Sequence, residues 1–159
     1  MKLNRKNLRK MIFEEIIMMN NISVDIDPDL ERLGKNKILI DDFCNFCADN
    51  LKISEPVNIK LVSNRGKNNI TTTAYYDPTS HDIVIYGKNR AIVDVCRSIA
   101  HEMTHMSQML EDRIEFPVQD AGGQIEDEAN ARAGEIVKLF AKSDDKRKEI
   151  YERKYYNNS

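Results

Sequence analysis

His101, Glu102 and His105 stand in the run His101-Glu102-Met103-Thr104-His105. Four residues of α-helix turn about 400°, so histidines at this spacing lie within about 40° of each other, one turn apart. Two such imidazoles can take neighbouring vertices of a tetrahedral zinc ion. Glu102 lies one step on, about 100° around the same helix, where it can approach a metal-activated water without being a ligand. Zinc lowers the pKa of its water towards 7, and a carboxylate can accept the proton and later deliver it to a leaving amine. The pattern is short, and two solvated or core histidines on a surface helix would show the same spacing. The surrounding elements therefore decide its meaning.

Catalytic zinc keeps three protein ligands and one open position. No histidine follows His105, so a third ligand would be a carboxylate. The run Glu126-Asp127-Glu128-Ala129-Asn130-Ala131-Arg132-Ala133 offers two candidates, Glu126 and Glu128. They are about 200° apart around a helix, so only one can face the metal. Glu126 and Asn130 share a face, while Ala129 and Ala133 make a small-residue face suited to close helix packing. An acidic first turn is also what a helix N-terminus favours without any metal.

His101-Glu102-x-x-His105 followed by Glu126-x-x-Ala129-Asn130-x-x-Ala133 resembles the gluzincin metallopeptidases. In that family HExxH lies on one helix and a glutamate ligand on a later one, with Asp or Asn four residues on. The resemblance implies that Glu126 is the third ligand and that Asn130 orients a histidine; Asn brings no charge where several members have Asp. More loosely, the segments 97–108 and 125–134 are similar to small metallopeptidases encoded by tailed bacteriophages. That likeness covers about the last half of the chain. It implies a zincin-like fold in which an edge strand pairs with an extended peptide substrate.

The elements that must position these residues follow from periodicity. Ile92, Val95, Ile99, Met103, Met106 and Leu110 predict a helix from about Arg90 to Leu110 whose core stripe leaves His101, His105 and Gln108 on another face. A second helix is predicted from Gln124 to Phe140. Before them, Val57 to Val62 alternates with period two. Ile70 to Tyr76 and Asp82 to Tyr86 predict a hairpin around the turn Asp77-Pro78-Thr79-Ser80. Lys37 to Leu51 predicts a helix with Ile40, Phe43, Cys44, Cys47 and Leu51 on one face. Residues 20–36 read as loop, residues 2–19 as an amphipathic helix docked through Leu8, Met11, Ile12, Ile16 and Met19, and 142–159 as a charged tail with a frayed terminal helix. The expected fold is α+β: one zincin-like domain over 1–159, with N-terminal helices and a small antiparallel sheet ahead of the two chemical helices.

The chain of 159 residues is 41% apolar and 31% charged, which fits a globular domain. A formal charge of −2 argues against nucleic acid as main partner. No apolar run approaches the roughly 18 residues of a membrane span, and Glu14 and Glu15 interrupt the one segment that mimics a secretion signal. Cys44, Cys47 and Cys96 read as reduced, buried thiols, including the Cys44-x-x-Cys47 pair. His81 reads as a solvated turn residue. Tyr75, Tyr76, Arg97 and Arg132 are candidates for stabilising an oxyanion. The expectation is a cytoplasmic zinc peptidase acting on a protein or peptide, in the host cytoplasm if phage-encoded. The alternatives are a non-hydrolytic zinc-binding interaction domain and a metal-free helical module.

Overall fold

A computed structural model describes residues 4–11, 21–68, 70–114 and 123–152. Among them, residues 5–11 are helical (α1). β1 (Ile22–Ile26), α2 (Glu31–Lys35) and α3 (Lys37–Leu51) follow, then β2 (Val57–Val62), β3 (Ala74–Asp77) and β4 (Asp82–Tyr86). α4 (Ile92–Leu110), α5 (Gln124–Ser143) and a 3-10 turn at Arg147–Tyr151 complete the order. α3 has its predicted bounds, α4 starts two residues late, and α5 runs three residues further than predicted.

The four strands form one sheet in the order β1-β2-β4-β3. β1 and β2 are parallel, as are β2 and β4, while β3 is antiparallel to β4. The sheet is thus mixed, which corrects the expected antiparallel one. One source of the difference is Ile22-Ser23-Val24-Asp25-Ile26, a period-two strand inside the stretch read as loop. Its parallel pairing with β2 requires a crossover, and α2 and α3 supply it. The other source is β4, where Ile83, Val84 and Ile85 are all buried. A strand apolar on both faces suits the sheet interior. β3, with Tyr75 exposed, takes the edge. It is shorter than the predicted strand, because residues 71–73 are bends and the Thr72 hydroxyl donates to the Ala74 carbonyl at 3.0 Å.

One face of the sheet carries the core. Val57, Ile59 and Leu61 of β2 are buried, while Asn58 and Lys60 between them are not. On the opposite face, Ser23 donates to Asn58, and Asn58 and Lys60 both donate to Asp82, a polar row across three strands. α3 packs on β1, α4 packs on β3 and β4, and α5 packs on α4 and α3. Phe43 and Phe140 meet edge to face at 5.1 Å in the centre. Cys44, Cys47 and Cys96 are free thiols in this core, and burial pushes all three up.

The two ends depart from expectation. No described residue of α1 is buried, and Leu8 and Met11 are 49% and 52% exposed rather than docked. In these two turns Arg5, Lys6, Arg9 and Lys10 surround them, leaving too little apolar area to hold a helix on a core. Ile12, Ile16 and Met19 lie outside the described residues. At the other end, Ile150 is fully buried and Arg147 pairs with Asp42 through two hydrogen bonds of 2.8 Å while lying over Phe140. Glu152 then accepts from the Ile92 N–H at 3.1 Å, the first residue of α4. This part of the charged tail anchors the helix that bears the histidines.

Candidate metal centre

The rotation of α4 is set by its core stripe. Ile92, Val95, Ile99, Met103 and Met106 are each no more than 1% exposed, whereas Leu110 at the end is 36% exposed. With that stripe against the sheet, His101 and His105 turn towards α5. α5 approaches through Ala129 and Ala133, both buried, and small residues permit the close approach. Glu126, one turn ahead of Asn130, is thereby brought to the histidines.

The donor atoms converge. His105 Nε2 lies 3.1 Å from His101 Nε2 and 3.0 Å from Glu126 Oε1, and His101 Nε2 lies 3.2 Å from Glu126 Oε2. Ligands held tetrahedrally at about 2.1 Å from one ion are separated by about 3.4 Å, so these donors fit a single metal ion with little movement. The His101 and Glu126 side chains are 20% and 25% exposed, against 6% for His105, so the group is open on one side. His101, His105 and Glu126 are the one such group of three or more among the described residues.

Electrostatics suit metal binding. Burial, and next the neighbouring His105, hold the His101 pKa below its usual value, so the imidazole is neutral and able to ligate at neutral pH. The Glu126 charge, and after it the Asn130 side chain, act in the opposite direction on His101. Burial pushes the Glu102 carboxyl up to about 7, with the Glu126 charge adding to it. A carboxyl titrating there can both take and return a proton.

Glu128, the competing ligand, goes elsewhere. Its carboxylate receives two hydrogen bonds from Arg113, which hold its pKa down, and one from Gln108 Nε2 at 3.3 Å. Gln108 is 1% exposed and lies 2.9 Å from His105 Nδ1. The sequence grouped Gln108 with the histidines but assigned it no role, and it marked Arg113 not at all. The three-residue step from His105 to Gln108 was the one available signal.

Three of the oxyanion candidates, Tyr76, Arg97 and Arg132, have other partners, while Tyr75 is exposed on β3. Arg132 pairs with Glu135 and donates to the Asn50 carbonyl, and Arg97 lies near Asp94 at 3.8 Å. Tyr76 Oη is 3.2 Å from His81 Nδ1 and near Met109 Sδ, and burial raises its pKa to about 12. His81 is therefore half-buried and partnered rather than simply solvated, in a left-handed turn position with φ 57°.

Comparison of the chain with models of protein families, with curated proteins and with solved structures gives no match. No described helix is long and apolar enough to cross a membrane. The geometry of the centre alone carries its interpretation.

Proposed function

We propose that the chain is a zinc-dependent peptidase of the gluzincin kind, hydrolysing peptide bonds in a protein or peptide substrate. The observation that carries this reading is the convergence of His101, His105 and Glu126 next to the Glu102 carboxyl. Two imidazoles and one carboxylate form a donor set of catalytic zinc, and three protein ligands leave one position open. Zinc held there would supply Lewis-acid activation of water and polarisation of a carbonyl. Glu102 takes the proton of the attacking water and returns it to the leaving amine. Gln108 lies against His105 Nδ1, on the side away from the donors, as metal-binding histidines require, and Asn130 is the corresponding residue for His101 by the gluzincin resemblance. β3 lies at the sheet edge beside α4, where its outer backbone groups can pair with an extended substrate.

The test combines metal content with cleavage. Purified protein should hold about one zinc per chain. It should also cleave members of an unbiased peptide library. Glu102→Gln should keep the zinc and lose about 10²–10⁴-fold in rate. Full activity in Glu102→Gln, or wild type without zinc, overturns the reading. Zinc with no cleavage by wild type points instead to an interaction domain built around the metal.

A further inference from the structure

We infer that Gln108, Glu128 and Arg113 form a positioning relay that sets which nitrogen of His105 faces His101 and Glu126. The inference rests on the metal-site reading above and goes beyond it by extending the contact of Gln108 with His105 to Glu128 and Arg113.

The relay follows from donor and acceptor chemistry. Gln108 Nε2 lies 3.2 Å from the Ile125 carbonyl and 3.3 Å from Glu128 Oε2. Both partners only accept, so the NH₂ end of the amide must face them. The amide oxygen then faces His105 Nδ1 at 2.9 Å. An oxygen cannot donate, so Nδ1 carries the proton and donates to it. In a neutral ring His105 Nε2 is then a lone pair, aimed at the point shared with His101 and Glu126, where a cation would satisfy it beside the Glu126 carboxylate. Turning the amide over would set its oxygen against two acceptors and is disfavoured.

Arg113 completes the chain. It holds both Glu128 oxygens, Nη1 donating to Oε1 at 2.9 Å and Nη2 to Oε2. Paired geometry of this kind fixes a carboxylate in orientation as well as charge. Arg113 follows the end of α4, just after Asp112 in the left-handed region at φ 56°, and Glu128 belongs to the start of α5. The pair thus ties together the two helices that bring the donors. Gln108 passes that constraint to His105, and Glu128 acts as its anchor rather than as a ligand.

The test reads the metal-free protein first. Nitrogen NMR of the histidine rings at pH 8 should show His105 as the Nδ1–H tautomer. Gln108→Met, similar in shape but without an acceptor, should shift that ring to mixed tautomers and weaken zinc binding by about 10–100-fold in chelator competition. Glu128→Ala, at a half-exposed position, should move both readouts in the same direction by less, and serves if Gln108→Met does not fold. An Nε2–H tautomer in wild type overturns the relay. So does a Gln108→Met protein, or failing it Glu128→Ala, with unchanged tautomer and zinc affinity. Wild type that binds no zinc overturns the metal reading, and the metal-free tautomer still decides the relay separately.

Discussion

His105 Nε2 lies 3.0 Å from Glu126 Oε1, across the connection between α4 and α5. Neither residue reaches the other through local structure. The contact exists because α4 turns its histidines away from the sheet and because Ala129 and Ala133 let α5 come close.

That contact separates the two glutamates by measurement. Glu126→Ala removes a donor, so zinc affinity should fall by more than the roughly 10–100-fold typical of partners behind the ligands. Glu128→Ala leaves all three donors in place and should lose much less. Competition against a chromophoric chelator distinguishes them. Equal losses would assign the ligand role to neither residue in particular.

Helix spacing gives a second prediction. Ala133 is 1% exposed on α5, the helix packed against α4. Ala133→Leu would force the helices apart at a cost of about 1–3 kcal/mol. Zinc affinity should fall along with stability, because Glu126 rides on the displaced helix. A variant that loses stability while binding zinc as well as wild type would show that the site tolerates a looser α4–α5 contact.

Phe140 tests the core independently of the metal. It is fully buried and meets Phe43 at 5.1 Å and Phe46 at 5.4 Å, both edge to face. Phe140→Ala should cost about 3–5 kcal/mol in urea denaturation. At low temperature the surviving folded fraction should still bind zinc, since the ring touches none of the donors.

The pH dependence of the metal-free protein follows from Glu102. Burial, then the Glu126 charge, raises its pKa to about 7, whereas an unfolded glutamate titrates near 4.3. The fold disfavours the carboxylate, so this group costs nothing below about pH 4 and its full cost is present above about 7. Stability from this source falls as pH rises through that window. His101 runs the other way: its lowered pKa makes protonation oppose folding as pH drops below about 6.5. Comparing wild type with Glu102→Gln in chelator cancels the histidine contribution. The variant's advantage should grow from near zero at pH 4.5 to about 3–4 kcal/mol at pH 8. An advantage that does not change with pH would contradict the raised pKa.

Local periodicity determined much of this protein. The apolar stripes of Lys37–Leu51, Ile92–Leu110 and Gln124–Ser143 are helical because the 3.6-residue repeat is written in neighbouring residues. For the same reason the pairing of His101 with His105 on one face was legible, since four residues of helix make little more than one turn. The thiols of Cys44 and Cys47 likewise followed from their place on an apolar face. Tertiary structure decided the rest. Ile22–Ile26 is a strand because β2 offers it a parallel edge, and its turn-forming surroundings hid that partner. Glu126 and Glu128 are chemically alike two residues apart, and a half-turn of helix sends one to the histidines and the other to Arg113 and Gln108. Which carboxylate faces which partner depends on how two distant helices pack, and packing is a property of side chains that meet only in the folded chain.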